Sequence, residues 1–116
     1  MKYSHLYAGP DGKSHFNDVA LFPDDKELGS LRTDPMKASS VFFTSSGKDY
    51  DLNWHNAPRR QFVITLEGTV EITASDGTIR RFGPGGIMLA DDLTGQGHKT
   101  RVLNNQNRRA VFITLD

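Results

Sequence analysis

The sequence predicts an all-β domain of antiparallel strands, and three features of it carry that prediction. The apolar residues fall in short stretches of four to six, those stretches are rich in β-branched and aromatic side chains, and clusters of Gly, Pro, Asn, Asp and Ser separate them. No internal repeat or low-complexity tract breaks the rhythm. Consecutive hairpins without helices to cover a parallel sheet leave two architectures, a sandwich or a closed barrel.

The elements follow in order. Asp18 to Phe22 reads as a strand ended by Pro23-Asp24-Asp25, and Lys26 to Leu31 as a helical turn before Asp34-Pro35. Ser40-Val41-Phe42-Phe43-Thr44 is a strand closed by Ser45-Ser46-Gly47. Gln61 to Leu66 and Thr69 to Thr73 are strands joined by the turn Glu67-Gly68, and together they predict a hairpin. Ser75-Asp76-Gly77-Thr78 predicts a second hairpin, with Gly77 accepting the positive φ of a two-residue primed turn so that Ile79 to Phe82 pairs back. Gly83-Pro84-Gly85-Gly86 breaks the chain before Ile87 to Ala90, and Asn104 to Asn107 separates Lys99–Leu103 from a last strand, Ala110 to Leu115. Seven or more strands result.

Composition narrows the function classes. A chain of 116 residues is one domain, with residues 38–116 carrying the clear strand signals and 1–37 forming N-terminal strands or an extension. Fourteen Lys and Arg balance fourteen Asp and Glu, which removes the basic field that draws proteins to nucleic acid. Mean hydropathy is −0.51 and no apolar run approaches the roughly 18 residues of a membrane span, so no membrane partner is expected. The start, Met1-Lys2-Tyr3-Ser4-His5, has no apolar h-region, and a cytoplasmic location is the expectation. With no cysteine, any metal must take His, carboxylate or amide ligands.

The choice between sandwich and barrel comes from His55-Asn56-Ala57-Pro58-Arg59-Arg60-Gln61 followed by six residues to Gly68. This stretch resembles the first cupin motif, H-x-H-x3-E-x6-G, with Ala57 in place of the second histidine and Gln61 in place of the glutamate. Gly95-Gln96-Gly97-His98 is similar to the centre of the second motif, P-x-G-x2-H-x3-N, with Leu93 for the proline and Val102 for the asparagine. Gly83-Pro84-Gly85 looks like the turn that opens that motif. The resemblance spans Val41 to Leu115 and implies a jelly-roll barrel, the double-stranded β-helix of the cupins, with a small-molecule pocket around His55, Gln61 and His98. It also implies a homodimer packed through outer sheet faces.

Alternation along an extended strand puts His55, Ala57 and Gln61 on one side, continues that side through Val63 and Thr65, and leaves Phe62, Ile64 and Leu66 facing outward. The cupin centre implied by the resemblance has three imidazoles and one carboxylate, suited to Fe, Mn, Ni or Zn. Here the metal-ligand candidates are His55, Gln61 and His98, with Asp91 or Asp92 as the carboxylate that could complete them. Without a metal the same residues suit acid/base chemistry. His55 and His98 act as bases, Asp92 orients His98, and Arg59, or Arg60 if Pro58 reverses the alternation, clamps a carboxylate or enolate. Gln61 and Thr65 bind substrate, and Trp54 sits at the barrel rim or in the core, or stacks on the substrate.

Other residues carry plainer readings. His5 and His15 are surface or packing histidines, Arg80-Arg81 and Arg108-Arg109 are solvated charges, and the Gly83–Gly86 cluster lacks the strand-to-helix setting of a phosphate loop. The readings that remain are a non-oxidative isomerase, lyase or dehydratase acting on a small oxygenated acid, a divalent-metal-dependent enzyme such as a dioxygenase, and a ligand-binding or sensing module without chemistry of its own.

Overall fold

A computed structural model describes residues 1–22 and 29–116. Among them are ten strands and no helix: β1 (Lys2–Ala8), β2 (Ser14–Ala20), β3 (Ala38–Ser46), β4 (Asp51–His55), β5 (Gln61–Glu67), β6 (Val70–Ala74), β7 (Ile79–Phe82), β8 (Ile87–Asp91), β9 (His98–Val102) and β10 (Arg108–Leu115). They form two facing sheets of a jelly-roll barrel, one in the order β2-β1-β8-β5-β10-β3 and one in the order β4-β9-β6-β7. Every pairing is antiparallel except β1 with β8, which run parallel from Ser4↔Met88 to Tyr7↔Asp91.

The N-terminal region departs most from the sequence reading. The strand expected at Asp18 to Phe22 is the end of β2, which begins at Ser14 and pairs along its whole length with β1. Lys26 to Leu28 of the expected helical turn lie outside the described residues, and Gly29 to Leu31 are exposed irregular chain. β1 has a weak signature because one face offers Leu6 while the other carries Tyr3, His5 and Tyr7. β4, absent from the sequence reading, is an exposed edge strand whose residues Asp51 to Trp54 are all solvent-accessible.

The turn at Gly68 also does different work. β5 and β6 do not pair: β5 lies between β8 and β10, and β6 lies in the opposite sheet between β7 and β9. Gly68, at φ 74°, carries the chain from one layer to the other against the backbone of Asn107 and Arg108, where a Cβ would collide. The second expected hairpin, β6 with β7, is present. Its loop holds three residues rather than two, closed by Ala74 N–H to Thr78 O at 2.8 Å, with Gly77 at φ 96°.

The core shows why the two layers stay together. Leu6, Val70 and Ile72 are almost fully buried, and each such side chain contributes about 1.5–3 kcal/mol relative to exposure. Phe16 and Phe82, with ring centroids 6.3 Å apart, fill the interlayer space on the β2 and β7 side. Toward β3 and β4 the facing positions include Ala57 and Ala90, whose small side chains border a hollow.

Candidate functional site

The hollow is a cavity of about 300 Å³ between the layers, open toward the edge strands β3 and β4. Its walls are mostly apolar, built from Leu52, Val63, Ile72, Met88 and Phe112, with the polar groups of His55, Gln61, His98 and Arg108 among them. A mainly apolar concavity with a few convergent polar groups is the usual form of a small-molecule site.

His55, Ala57 and Gln61 all line it, but not by alternation along one strand. β4 ends at His55, and Asn56 to Arg60, with Pro58 at its centre, turn the chain from one sheet to the other before β5 begins at Gln61. Alternation does hold within β5, where Gln61, Val63 and Thr65 are buried, Phe62 and Ile64 are half-buried outside, and Leu66 is exposed.

His98 enters from β9, opposite His55 in the register, and the two rings lie 4.2 Å apart between centroids. Behind His98 is Asp92, fully buried, with its Oδ2 2.5 Å from the His98 Nδ1. The other carboxylate oxygen of Asp92 accepts the Ala57 backbone N–H at 3.3 Å. The His98 Nδ1–H therefore donates to Asp92, and Nε2 is the ring nitrogen that the carboxylate leaves free. His55 is arranged in the same way, its Nδ1–H donating to the Asn53 carbonyl at 2.7 Å. Burial, reinforced by His98, holds the His55 imidazole below its ordinary value of 6.5 against the opposing pull of Asn53 and Asp92. Gly97 makes the approach to His98 tight enough for this: at φ 77° it packs on the backbone of His55 and Asn56, where a side chain would have no room.

Other expected site residues sit elsewhere. Arg59 is exposed outside the cavity wall, and Arg60 turns to the outer face 3.6 Å from Asp91, because the turn through Pro58 leaves both on the solvent side. Trp54 alternates away from His55 on β4, is 47% exposed and lies beneath the Lys99 ammonium, which is 5.1 Å from its ring. It neither stacks in the cavity nor belongs to the core. Thr65 is buried and reaches the site only through Arg108, whose Nη2 donates to its hydroxyl at 3.1 Å.

Arg108 is the residue that sequence reasoning placed wrongly. It is 6% exposed and lines the cavity instead of facing water. Its signal was the alternation of the last strand: Ala110, Phe112 and Thr114 face inward, and the same period carried back one step includes Arg108. Burial lowers its guanidinium below its ordinary value.

The donor set differs from that of a cupin metal centre. Asp91 is engaged on the outer face by His5 at 2.9 Å, and Asp92 stands behind His98. Among the described residues no three His, Cys, Asp or Glu side chains gather as a metal site. Two imidazoles and the neutral amide of Gln61 do not fit a centre that uses three imidazoles and a carboxylate.

No family model and no curated protein matches the chain. Solved structures do. A cupin domain of Cnp3 from Schizosaccharomyces pombe superposes with a TM-score of 0.52 at 12% identity, over 100% of this chain and 83% of that one. Protein NMB1881 from Neisseria meningitidis gives 0.50 at 18% identity, over 66% and 72% respectively. An RmlC-like cupin from Desulfovibrio desulfuricans gives 0.47 at 16% identity, over 80% and 96%. At these identities the likeness concerns the fold alone.

Proposed function

We propose that this chain, a domain with the cupin fold, binds a small oxygenated organic molecule between its sheets and moves a proton at the carbon beside a carbonyl. The observation that carries the reading is the buried Asp92–His98 pair with His55 beside it on the same cavity wall. Asp92 fixes the tautomer that leaves Nε2 of His98 basic and offsets the charge that His98 gains on taking a proton. His55, kept neutral by burial, serves as the second proton carrier on a neighbouring face of the substrate. Gln61 supplies an amide N–H to the carbonyl oxygen on which negative charge develops. Isomerisation, epimerisation and elimination all begin with this step.

The test follows deuterium uptake at the carbons beside the ketone of 4-oxopentanoate, 5-oxohexanoate and 6-oxoheptanoate in heavy water by proton NMR, using protein whose metal content has been measured. Uptake accelerated by the chain, abolished in His98→Ala and independent of metal content, is the expected result. No acceleration with any of the three, or full acceleration by His98→Ala, overturns the proton-transfer reading and leaves a ligand-binding module.

Oligomeric state is part of the same reading. Val41 and Phe43 on the outer face of β3 are 58% and 73% exposed, and Leu66 on β5 is 47% exposed, beside the half-buried Phe62 and Ile64. A second copy of the chain covering this face would form the homodimer that the outer apolar residues favour.

A further inference from the structure

Arg60, Arg80, Arg81, Arg101 and Arg109 each lie within 4 Å of a carboxylate, and all of them are on the surface. Arg108, far more buried, has no such partner among the described residues. A guanidinium keeps its proton under all ordinary conditions, so this charge is carried into a low-dielectric wall without compensation. Its Nη2 reaches the Thr65 hydroxyl, which is neutral, while its Nε is buried with no hydrogen-bond partner. Among the described residues the Thr44 hydroxyl is the other buried side-chain polar atom without a partner. The register puts the two together: Thr44 lies opposite Ala110 on β3, and Ser46, the next inward position, lies opposite Arg108. Both side chains line the cavity.

We propose that the cavity takes a monocarboxylate whose carboxylate group sits on Arg108 and Thr44, with its apolar body between Val63, Ile72, Met88 and Phe112 and its reactive end under His55 and His98. This names the substrate class for the site proposed above and rests on that reading. Arg108 donates to one carboxylate oxygen through Nη1, which has no protein partner among the described residues and, unlike Nε, is not sealed from the cavity, and rotation of the Thr44 side chain brings its O–H to the other oxygen. Among the described residues lining the cavity Arg108 is the one permanent cation, which matches a single negative charge better than the two of a phosphate monoester. The ligand's charged and reactive ends are separated by the apolar stretch that Val63, Ile72, Met88 and Phe112 form on the cavity wall.

Binding of hexanoate, phenylacetate and hexanol, measured by calorimetry or by NMR titration on the full chain, tests the assignment. Hexanoate or phenylacetate should bind at least tenfold more tightly than hexanol. Arg108→Gln should weaken the acids at least tenfold, Thr44→Val severalfold, and neither should change hexanol binding. Hexanol binding as tightly as hexanoate, neither acid binding, or acid affinity unchanged in Arg108→Gln would overturn the proposal. If Arg108→Gln does not fold, Thr44→Val decides in its place: unchanged acid affinity in that variant refutes the anchor. His98→Ala separates the two readings. Acids that still bind to a chain with no exchange activity in any form refute proton transfer alone, and exchange that persists in a folded Arg108→Gln with unaltered acid affinity refutes the anchor alone.

Discussion

The Asp92 carboxylate lies 2.5 Å from Nδ1 of His98, with 0% and 4% of the two residues exposed. Asparagine at position 92 keeps the shape but can offer His98 either an amide N–H or an oxygen, so both tautomers become accessible. Asp92→Asn should lower the exchange rate by about 10²–10⁴-fold with little change in substrate KM. The imidazole nitrogen shifts of His98 should move from a single Nδ1–H tautomer to a mixture. A variant that loses activity while keeping the single-tautomer spectrum would show that Asp92 acts only through packing.

The pH profile should carry the mark of His55. Its lowered pKa means that it is neutral at pH 7 and gains a proton only below the ordinary histidine value of 6.5. The acid limb of exchange should therefore be centred below 6.5 and should change when His55 is replaced by Gln. A limb centred above 6.5, or one identical in His55→Gln, contradicts the assignment.

Glu71 holds a separate, structural charge. It is buried on β6, with Arg101 Nε at 2.8 Å and Arg81 Nε at 3.0 Å, and the bond to Arg101 leads in holding its carboxyl below the ordinary 4.5 against the cost of burial. A depressed pKa makes the unfolded chain the stronger proton acceptor as pH falls. The stabilisation is complete above the ordinary carboxylate value and disappears as pH drops through the lower folded one. Glu71→Gln should cost about 1–3 kcal/mol in urea unfolding at pH 7, and the gap from the parent protein should close in strong acid. An equal gap at both pH values would mean that shape, not charge, is responsible.

The outer sheet face is tested by mass. The parent chain should run at twice 12.9 kDa in light scattering, and Phe43→Glu should shift it to a single chain while leaving the cavity folded. A parent that is monomeric at all concentrations removes the homodimer.

What the sequence made legible followed the strands whose two faces differ. β5 alternates cleanly, and its inward residues Gln61, Val63 and Thr65 were read directly from it. His55 and His98 were found through motif spacing, and the loop leading to His98 brought Asp92 with it. What stayed hidden was set by contacts between distant segments. Polar, exposed β4 exists because β9 offers it an edge, and β1 exists because β8 does. The turn at Gly68 looks local but crosses between layers, because the partners of β5 and β6 lie far away in sequence. Arg108 was misread because a charge at the start of a strand next to an asparagine-rich turn has the composition of a surface residue. The alternation of the strand, carried back from Ala110, shows which way the side chain faces, and the register with β3 agrees.

The parallel pairing of β1 with β8 also has a consequence in time. The first hairpin leaves the ribosome with Leu6 and Phe16 on one face, which waits for β6 and β7 of the opposite sheet, while the edge of β1 has no partner until the eighth strand is made. At roughly 5–20 residues per second, the interval from Ala8 to Asp91 is on the order of 4–17 seconds. For that interval the edge of β1 stays unpaired, and for most of it the apolar face is uncovered as well, so the yield of folded protein should depend on translation speed and on holding chaperones more than the stability of the finished barrel suggests.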